Sequence, residues 1–335
     1  MKKKFFRPMM VEQLRGILIA AVAFLPFCMA QAQGNALAEG FSVPGQKETK
    51  EKPKNGGNGK KNAEMVDDGV SFEVKTEYSY TGTSKTRSGA IPYGNVKMQS
   101  SAAEVILNKH LSEGVILRGG AGWDRYSFGL PEAAPLPATL QSTCAVLGSD
   151  IELNEEWLMR LEIRPGVYSD YSDITFEDVN CPAIIGASYL VDKDLQWFFG
   201  LSADPFRNIP VMPGGGVRWK FANQWTLMFL MPRPRIEYEI TEKLTAYFGG
   251  DIKGGSFRIS RTFGDSHGQS NTNSGKMDYM EARVGPGMSW KIIPGMTLDV
   301  SGGYMLFREF HIHPADVKSQ GQPAPYGQIS LSASF

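Results

Sequence analysis

Four histidines, three cysteines and a long series of charged residues are the side chains of this 335-residue chain that could do chemistry. His311 and His313, with Asp316 close by, carry metal-ligand atoms, but a spacing of two in a loop fixes no coordination geometry. His110 falls in an expected turn and His267 in an expected loop. No Ser/His or Asp/His set is recognisable, so no catalytic residue, metal or cofactor is expected. Gly214-Gly215-Gly216 lacks the Lys-Ser/Thr and the helix that a phosphate loop needs. Cys144 and Cys181, the two cysteines beyond the N-terminal segment, do not make a disulfide framework, though an exported chain could hold one bridge. Basic and acidic residues balance at 35 each, which gives no signature of nucleic-acid binding.

The charges show a pattern that the histidines lack: they recur at every second position. Glu73, Lys75 and Glu77 form one such set, and Arg160, Glu162 and Arg164 another. Arg218 with Lys220, Arg235 with Glu237 and Glu239, Asp251 with Lys253, and Glu281 with Arg283 continue it. Arg118, Asp124, Asp204 and Asp299 join the same face by parity. Rings of mixed charge facing a wet interior filter small solutes by size and sign. The same charges paired across strands would instead plug a narrow interior.

Period two is the repeat of a β-strand with one apolar and one polar face. Val70, Phe72, Val74, Thr76, Tyr78 and Tyr80 alternate with polar partners. So do Trp157–Ile163, Val217–Phe221, Ile236–Ile240, Met280–Trp290 and Leu298–Leu306, where Glu309 is assigned to the polar side. Short turns are expected near 108–113, 154–156, 192–194, 222–224, 241–243 and 293–295. Longer connections are expected near 82–94, 129–137, 169–179, 205–213, 232–234, 261–275 and 311–322. Six short turns and seven longer connections give about 14 strands, with 12 as the alternative. Short turns on one rim and long loops on the other is the outer-membrane arrangement, both termini being periplasmic. Trp123, Trp157, Trp197, Trp219, Trp225 and Trp290 sit on apolar faces and are expected at the membrane interfaces.

The ends of the chain agree. Lys2, Lys3, Lys4 and Arg7 precede an uncharged run, Gly16–Met29, and then Ala30-Gln31-Ala32, which together read as a signal peptide over 1–32. A Lys/Gly-rich stretch over 33–69 reads as a flexible periplasmic tether, and the barrel as 70–335. No later apolar run reaches the roughly 20 residues of a spanning helix, so membrane residence requires a closed sheet. The final segment alternates without error: Ile329, Leu331 and Phe335 are expected to face lipid and serve as the assembly signal. Met231-Pro232-Arg233-Pro234-Arg235 marks a rigid strand end. Arg233, and Arg207 in the preceding long connection, are the candidate mouth cations.

The segment Leu195–Tyr238, with its Gln-Trp strand, Asp204-Pro205, Pro-Val-x-Pro-x-x-Gly-x-Arg-Trp and Pro-Arg-Pro-Arg, resembles a widespread, uncharacterised family of bacterial outer-membrane barrels. The similarity runs from Val70 to Phe335. It implies the fold, the outer-membrane address and insertion by the barrel-assembly machinery, but no substrate or catalytic residue. The expected partners are outer-membrane lipid, that machinery and small hydrophilic solutes. A porin-like passive channel is the leading reading. A plugged structural or surface-interaction barrel is the alternative, and an outer-membrane hydrolase the second alternative.

Overall fold

The computed structural model describes residues 69–335 apart from residue 133. The expected signal peptide and all but the last residue of the expected tether lie outside the described residues. Seventeen strand stretches form a single sheet. They are β1 (Val70–Ser88), β2 (Ile91–Ser112), β3 (Val115–Gly129), β4 (Thr139–Glu152), β5 (Trp157–Ile163), β6 (Gly166–Ser169), β7 (Val179–Asn180), β8 (Ala183–Leu190) and β9 (Leu195–Ala203). There follow β10 (Val211–Ala222), β11 (Trp225–Leu230), β12 (Arg235–Thr241), β13 (Leu244–Arg258), β14 (Lys276–Ile293), β15 (Met296–His313), β16 (Val317–Gly321) and β17 (Ala324–Ser334).

Three breaks in this series fall at prolines. Pro165 separates β5 from β6, Pro182 separates β7 from β8, and Pro323 separates β16 from β17. Proline offers no N–H to a ladder, yet the wall continues across the breaks. Ala145 N–H donates to the Pro165 carbonyl at 2.9 Å and Arg164 N–H to that of Pro182 at 2.8 Å. Counted as continuous staves, the stretches make the 14 antiparallel strands that the turn pattern predicts. The last stave meets the first along Glu73↔Ser334 to Thr81↔Tyr326. Phe72 and Phe335 exchange both backbone hydrogen bonds at 2.9 Å. With that closure no edge is left unpaired, which is the condition for a sheet to sit in hydrocarbon.

Sides follow from parity. Phe199, Leu201, Phe248, Leu306, Ile329 and Leu331 are exposed on the outer face, where lipid replaces water. Trp157, Trp197, Trp219, Trp225 and Trp290 all lie near the short-turn rim. Trp157 packs on Tyr189 and Trp225 on Tyr238, each pair at 4.8 Å between centroids. Trp123 is the exception, standing in the middle of β3 opposite Ala103 and Thr143.

Two expected loops are strand instead. β1 and β2 meet in a tight turn at Gly89-Ala90, with Gly89 at a φ of 55°, so 82–94 is a hairpin. β15 and β16 likewise continue through most of 311–322. Beyond the apolar belt a strand needs no greasy face, so its sequence looks like loop. A bulge in β15 also corrects the parity of that strand. The register jumps from Ala282↔Phe307 to Arg283↔Met305, and one extra residue exchanges the two faces above it. Arg308 therefore points inward, fully buried, while Glu309 pairs with Gln320 on the exposed side.

The wall is uneven in height. β11 and β12 contain six and seven residues, fewer than the roughly 9–11 of a spanning strand. Above them the connection from Asp204 to Pro210 leans across to β14. Asn208 N–H donates to Asp278 at 3.1 Å, and Lys276 Nζ donates to the Pro205 carbonyl at 3.0 Å.

Candidate functional site

Inside the barrel the two halves differ. Toward the long-loop end the inward residues are apolar: Met98 on β2, Tyr126 and Phe128 on β3, Leu140 on β4, Phe257 on β13, Tyr279 on β14 and Phe310 on β15 all belong to one buried cluster. Phe128 packs at 5.0 Å from Phe310 and 5.2 Å from Tyr279, and Tyr279 at 5.0 Å from Tyr126. Leu136, Phe206 and Phe263 close over them from the connecting loops. Offset and edge-to-face rings at these separations make a rigid, water-excluding layer. It fills the lumen at that end.

A buried ionic cluster lies against this layer. Glu281 accepts from Arg308 Nε and Nη2 at 2.8 and 2.6 Å, from Tyr279 Oη at 3.0 Å and from Thr81 Oγ1 at 3.1 Å. Arg283 pairs with the same carboxylate and also donates to Ser79 Oγ, Thr81 Oγ1 and Gln328 Oε1 at 3.0–3.2 Å. Glu281 and Arg283 were expected on a solute-lining face. They are instead fully packed, holding β1, β14 and β15 together.

Below this layer a cavity of about 1050 Å³ runs to the short-turn rim. Its lining includes Glu73, Lys75, Glu77, Arg118, Asp124, Arg160, Glu162, Arg164, Arg218, Arg235, Asp251, Lys253 and Asp299 from the expected set. Most of these are cross-bridged. Arg160 binds Asp150 through two nitrogens at 2.5 Å, and Arg118 reaches Glu73 at 3.4 Å. Arg164 spans Glu162 at 2.7 Å and Glu104 at 2.8 Å. Across the barrel, Tyr247 Oη and Ser289 Oγ donate to Asp299 at 2.6 and 2.5 Å, and Arg235 binds Glu237 at 2.6 Å. Glu239 shares that strand's inward parity, and Lys220 that of Arg218.

Three further placements depart from the sequence reading. Arg233 does not stand over a mouth: it enters the lumen and binds Glu77 at 2.9 Å and Asp251 at 3.1 Å, beside the Glu77–Lys253 pair. Backbone bonds from Gly250 and Ile252 to the carbonyls of Pro234 and Pro232 hold the proline segment against β13. Arg207 is buried under the 204–210 connection, 3.2 Å from Ser202 Oγ, at the top of the cavity. Asp204 is off the wall altogether, accepting from Asn180 Nδ2 at 2.7 Å and from Phe206 N–H at 2.9 Å. It shapes the turn that inserts Phe206 into the aromatic layer. Glu104, Asp150 and Arg308 were missed. The first two could have been found by parity with Ala102 and Gly148, and the third only by knowing the bulge.

The histidines do not assemble a centre. His311 Nε2 lies 2.8 Å from Asp316 in the exposed turn, where hydrogen bonds from His311 and Lys318 hold the Asp316 carboxyl below its ordinary value. Among the described residues no group of three or more His, Cys, Asp or Glu could hold a metal ion. Cys144 is buried, Cys181 is exposed, and both are free. Ile329, Leu331 and Phe335 all face outward from β17 and the terminus.

A closed antiparallel sheet with an apolar exterior, a charged interior and short turns on one rim is a transmembrane β-barrel of the outer-membrane type. The chain belongs to the family described as a domain of unknown function, DUF6268, which matches residues 147–333. Solved structures similar to it include a deletion mutant of the monoaromatic hydrocarbon channel TodX, at 8% identity over 80% of this chain and 91% of that one, with a TM-score of 0.45. An outer-membrane channel from Pseudomonas putida F1 is 10% identical over 80% and 96%, with a TM-score of 0.42. The translocator domain of the autotransporter NalP from Neisseria meningitidis is 10% identical over 95% and 98%, with a TM-score of 0.33. No curated protein matches the sequence.

Proposed function

We propose that this barrel is an outer-membrane channel for small hydrophilic solutes, porin-like in its charged inner wall and closed at rest on the side of the long loops. In this reading the short-turn rim and both termini face the periplasm, residues 1–32 are removed on export, and residues 33–69 tether the barrel to the periplasmic side. Phe335 and the outward residues of the last strand engage the assembly machinery. The observation that carries the proposal is the cavity of about 1050 Å³ with charge of both signs on its wall. A purely structural barrel has no need to keep so large a wet space; it could fill it with side chains. The second reading, a plugged structural barrel, is favoured by the aromatic seal and the buried Glu281 cluster.

Planar-bilayer recording separates the two. The unmodified protein should be silent for long periods, because its seal is complete. Phe310→Ala, and separately Tyr279→Ala, should give stepwise conductance while keeping heat-modifiable migration on a detergent gel. Folded variants that stay silent would establish the structural reading. A steady large conductance from the unmodified protein would show that the aromatic layer does not seal.

A further inference from the structure

One sector of the vestibule is built unlike the rest. On β9, β10 and β11 the pairings Phe198↔Gly216 and Gly216↔Leu230 place Phe198 and Leu230 on either side of a glycine. A Cβ on Gly216 would lie 2.9 Å from Leu230 Cδ1 and closer still to the backbone of β11. The missing side chain lets the two large ones meet, and they form a separate buried pair against which Leu158, Ile184 and Met228 pack. Ile184, Phe198, Met228 and Leu230 all line the cavity. The wet interior therefore has an apolar patch on this side of its wall.

The next row toward the short-turn rim is Gln196↔Arg218↔Met228, which continues to Arg235. Arg118, Arg160, Arg164, Arg233 and Arg235 each bind a carboxylate. Arg218 lines the same cavity and has no ion pair or side-chain hydrogen bond among the described residues. At a strand spacing of about 4.8 Å, Arg235 stands roughly 10 Å away on the same face, where Glu237 neutralises it, so the positive charge here is that of Arg218 with Lys220 one row below. A guanidinium matches a carboxylate with two parallel N–H bonds, and an apolar body beside it would be removed from water.

We propose that this sector binds a small organic anion with an apolar body: a carboxylate carrying a ring or a short alkyl chain. The carboxylate sits on Arg218 and the body against Phe198, Met228 and Leu230. This assignment rests on the reading that the vestibule admits solutes from the short-turn rim. An organic cation meets the wrong charge there. A neutral hydrocarbon leaves Arg218 unsatisfied, and acetate leaves the apolar patch unfilled.

The test uses the full chain, folded in detergent, with its seal intact. Benzoate and hexanoate are titrated by calorimetry against detergent-only blanks, and equilibrium dialysis gives a second readout where heats are small. Acetate, benzyl alcohol and benzylammonium are the comparison probes. At least one of the two carboxylates should bind saturably, at least about tenfold more tightly than any comparison probe. Arg218→Gln should weaken it about 10- to 100-fold, with Arg218→Lys intermediate. Met228→Ser, which keeps the charge, should also weaken it. Gel migration of the heated and unheated variants confirms folding. Absence of saturable binding by both carboxylates, an unchanged affinity in Arg218→Gln, or equal binding of benzylammonium overturns the site. Conductance is a separate readout: seal variants that are silent while benzoate binds sink the channel reading alone, and conducting variants without benzoate binding sink this site alone.

Discussion

Consider replacing Glu281 with glutamine. Its side chain is completely buried, and so is that of its partner Arg308. Among the described residues Arg308 has no other carboxylate, and its Nη1 has no hydrogen-bond partner. Arg283 is better placed, since Ser79, Thr81 and Gln328 also receive its N–H groups. Removing one charge from a buried pair costs about 3–5 kcal/mol, because the other is left uncompensated. The glutamine can still accept one bond, so the expected loss for Glu281→Gln is about 3 kcal/mol, at the lower end of that range. Urea unfolding of the barrel in lipid vesicles, followed by tryptophan fluorescence, measures it. Adding Arg308→Met removes the stranded charge, so the double variant should recover about half or more of the loss, a coupling expected for groups in one network. A loss under about 1 kcal/mol for Glu281→Gln, or a double variant less stable than the single, would refute the reasoning that this cluster is an ionic fastener.

Other expectations are narrower. Gly216→Val should fail to give a heat-stable barrel, because its Cβ meets the Phe229 carbonyl and the Leu230 backbone; Gly119→Ala, whose Cβ would meet nothing within 4 Å, is the folded comparison. Arg233→Ala should cost about 1–3 kcal/mol in the same urea assay, the range for a lost hydrogen bond to a charged group, since Glu77 keeps Lys253 and Gln328. Deleting Phe335 should lower the assembled fraction in cells and also the refolding yield in vesicles, because it removes both an outward ring and the backbone pair with Phe72. In detergent, N-ethylmaleimide, small and able to enter the micelle, should modify the exposed Cys181 faster than the buried Cys144, as mass spectrometry of the two peptides over time would show.

Much of the fold was legible because a barrel in lipid writes itself into the sequence. Each stave between Val70 and Phe335 needs one greasy face, and Ile329, Leu331 and Phe335 show that need without interruption. The strand count survived the proline breaks because Pro165, Pro182 and Pro323 interrupt hydrogen bonding over one residue and leave the wall intact. Outside the apolar belt the constraint vanishes, so the hairpins around Gly89 and Pro314 resembled loops. The charged vestibule was legible by parity. Its seal was not: Tyr126, Phe128 and Tyr279 are as apolar as residues facing lipid, and parity gives a side without saying what fills it. Arg308 and Glu309 show the other limit, since one bulged residue exchanges their faces.

The claim on which the account turns is that the interior is open at the short-turn rim and sealed at the long-loop rim. Two single-cysteine variants, each on a background with Cys144→Ser and Cys181→Ser, test it in vesicles. Ala90→Cys marks the tip of the outer hairpin, and Ser330→Cys marks the vestibule wall. An impermeant maleimide outside the vesicles should label each vesicle orientation at one site only, so the two labelled fractions should sum to one. Complete labelling of Ser330→Cys whatever fraction of Ala90→Cys reacts would mean that the lumen is open from end to end, contradicting the seal.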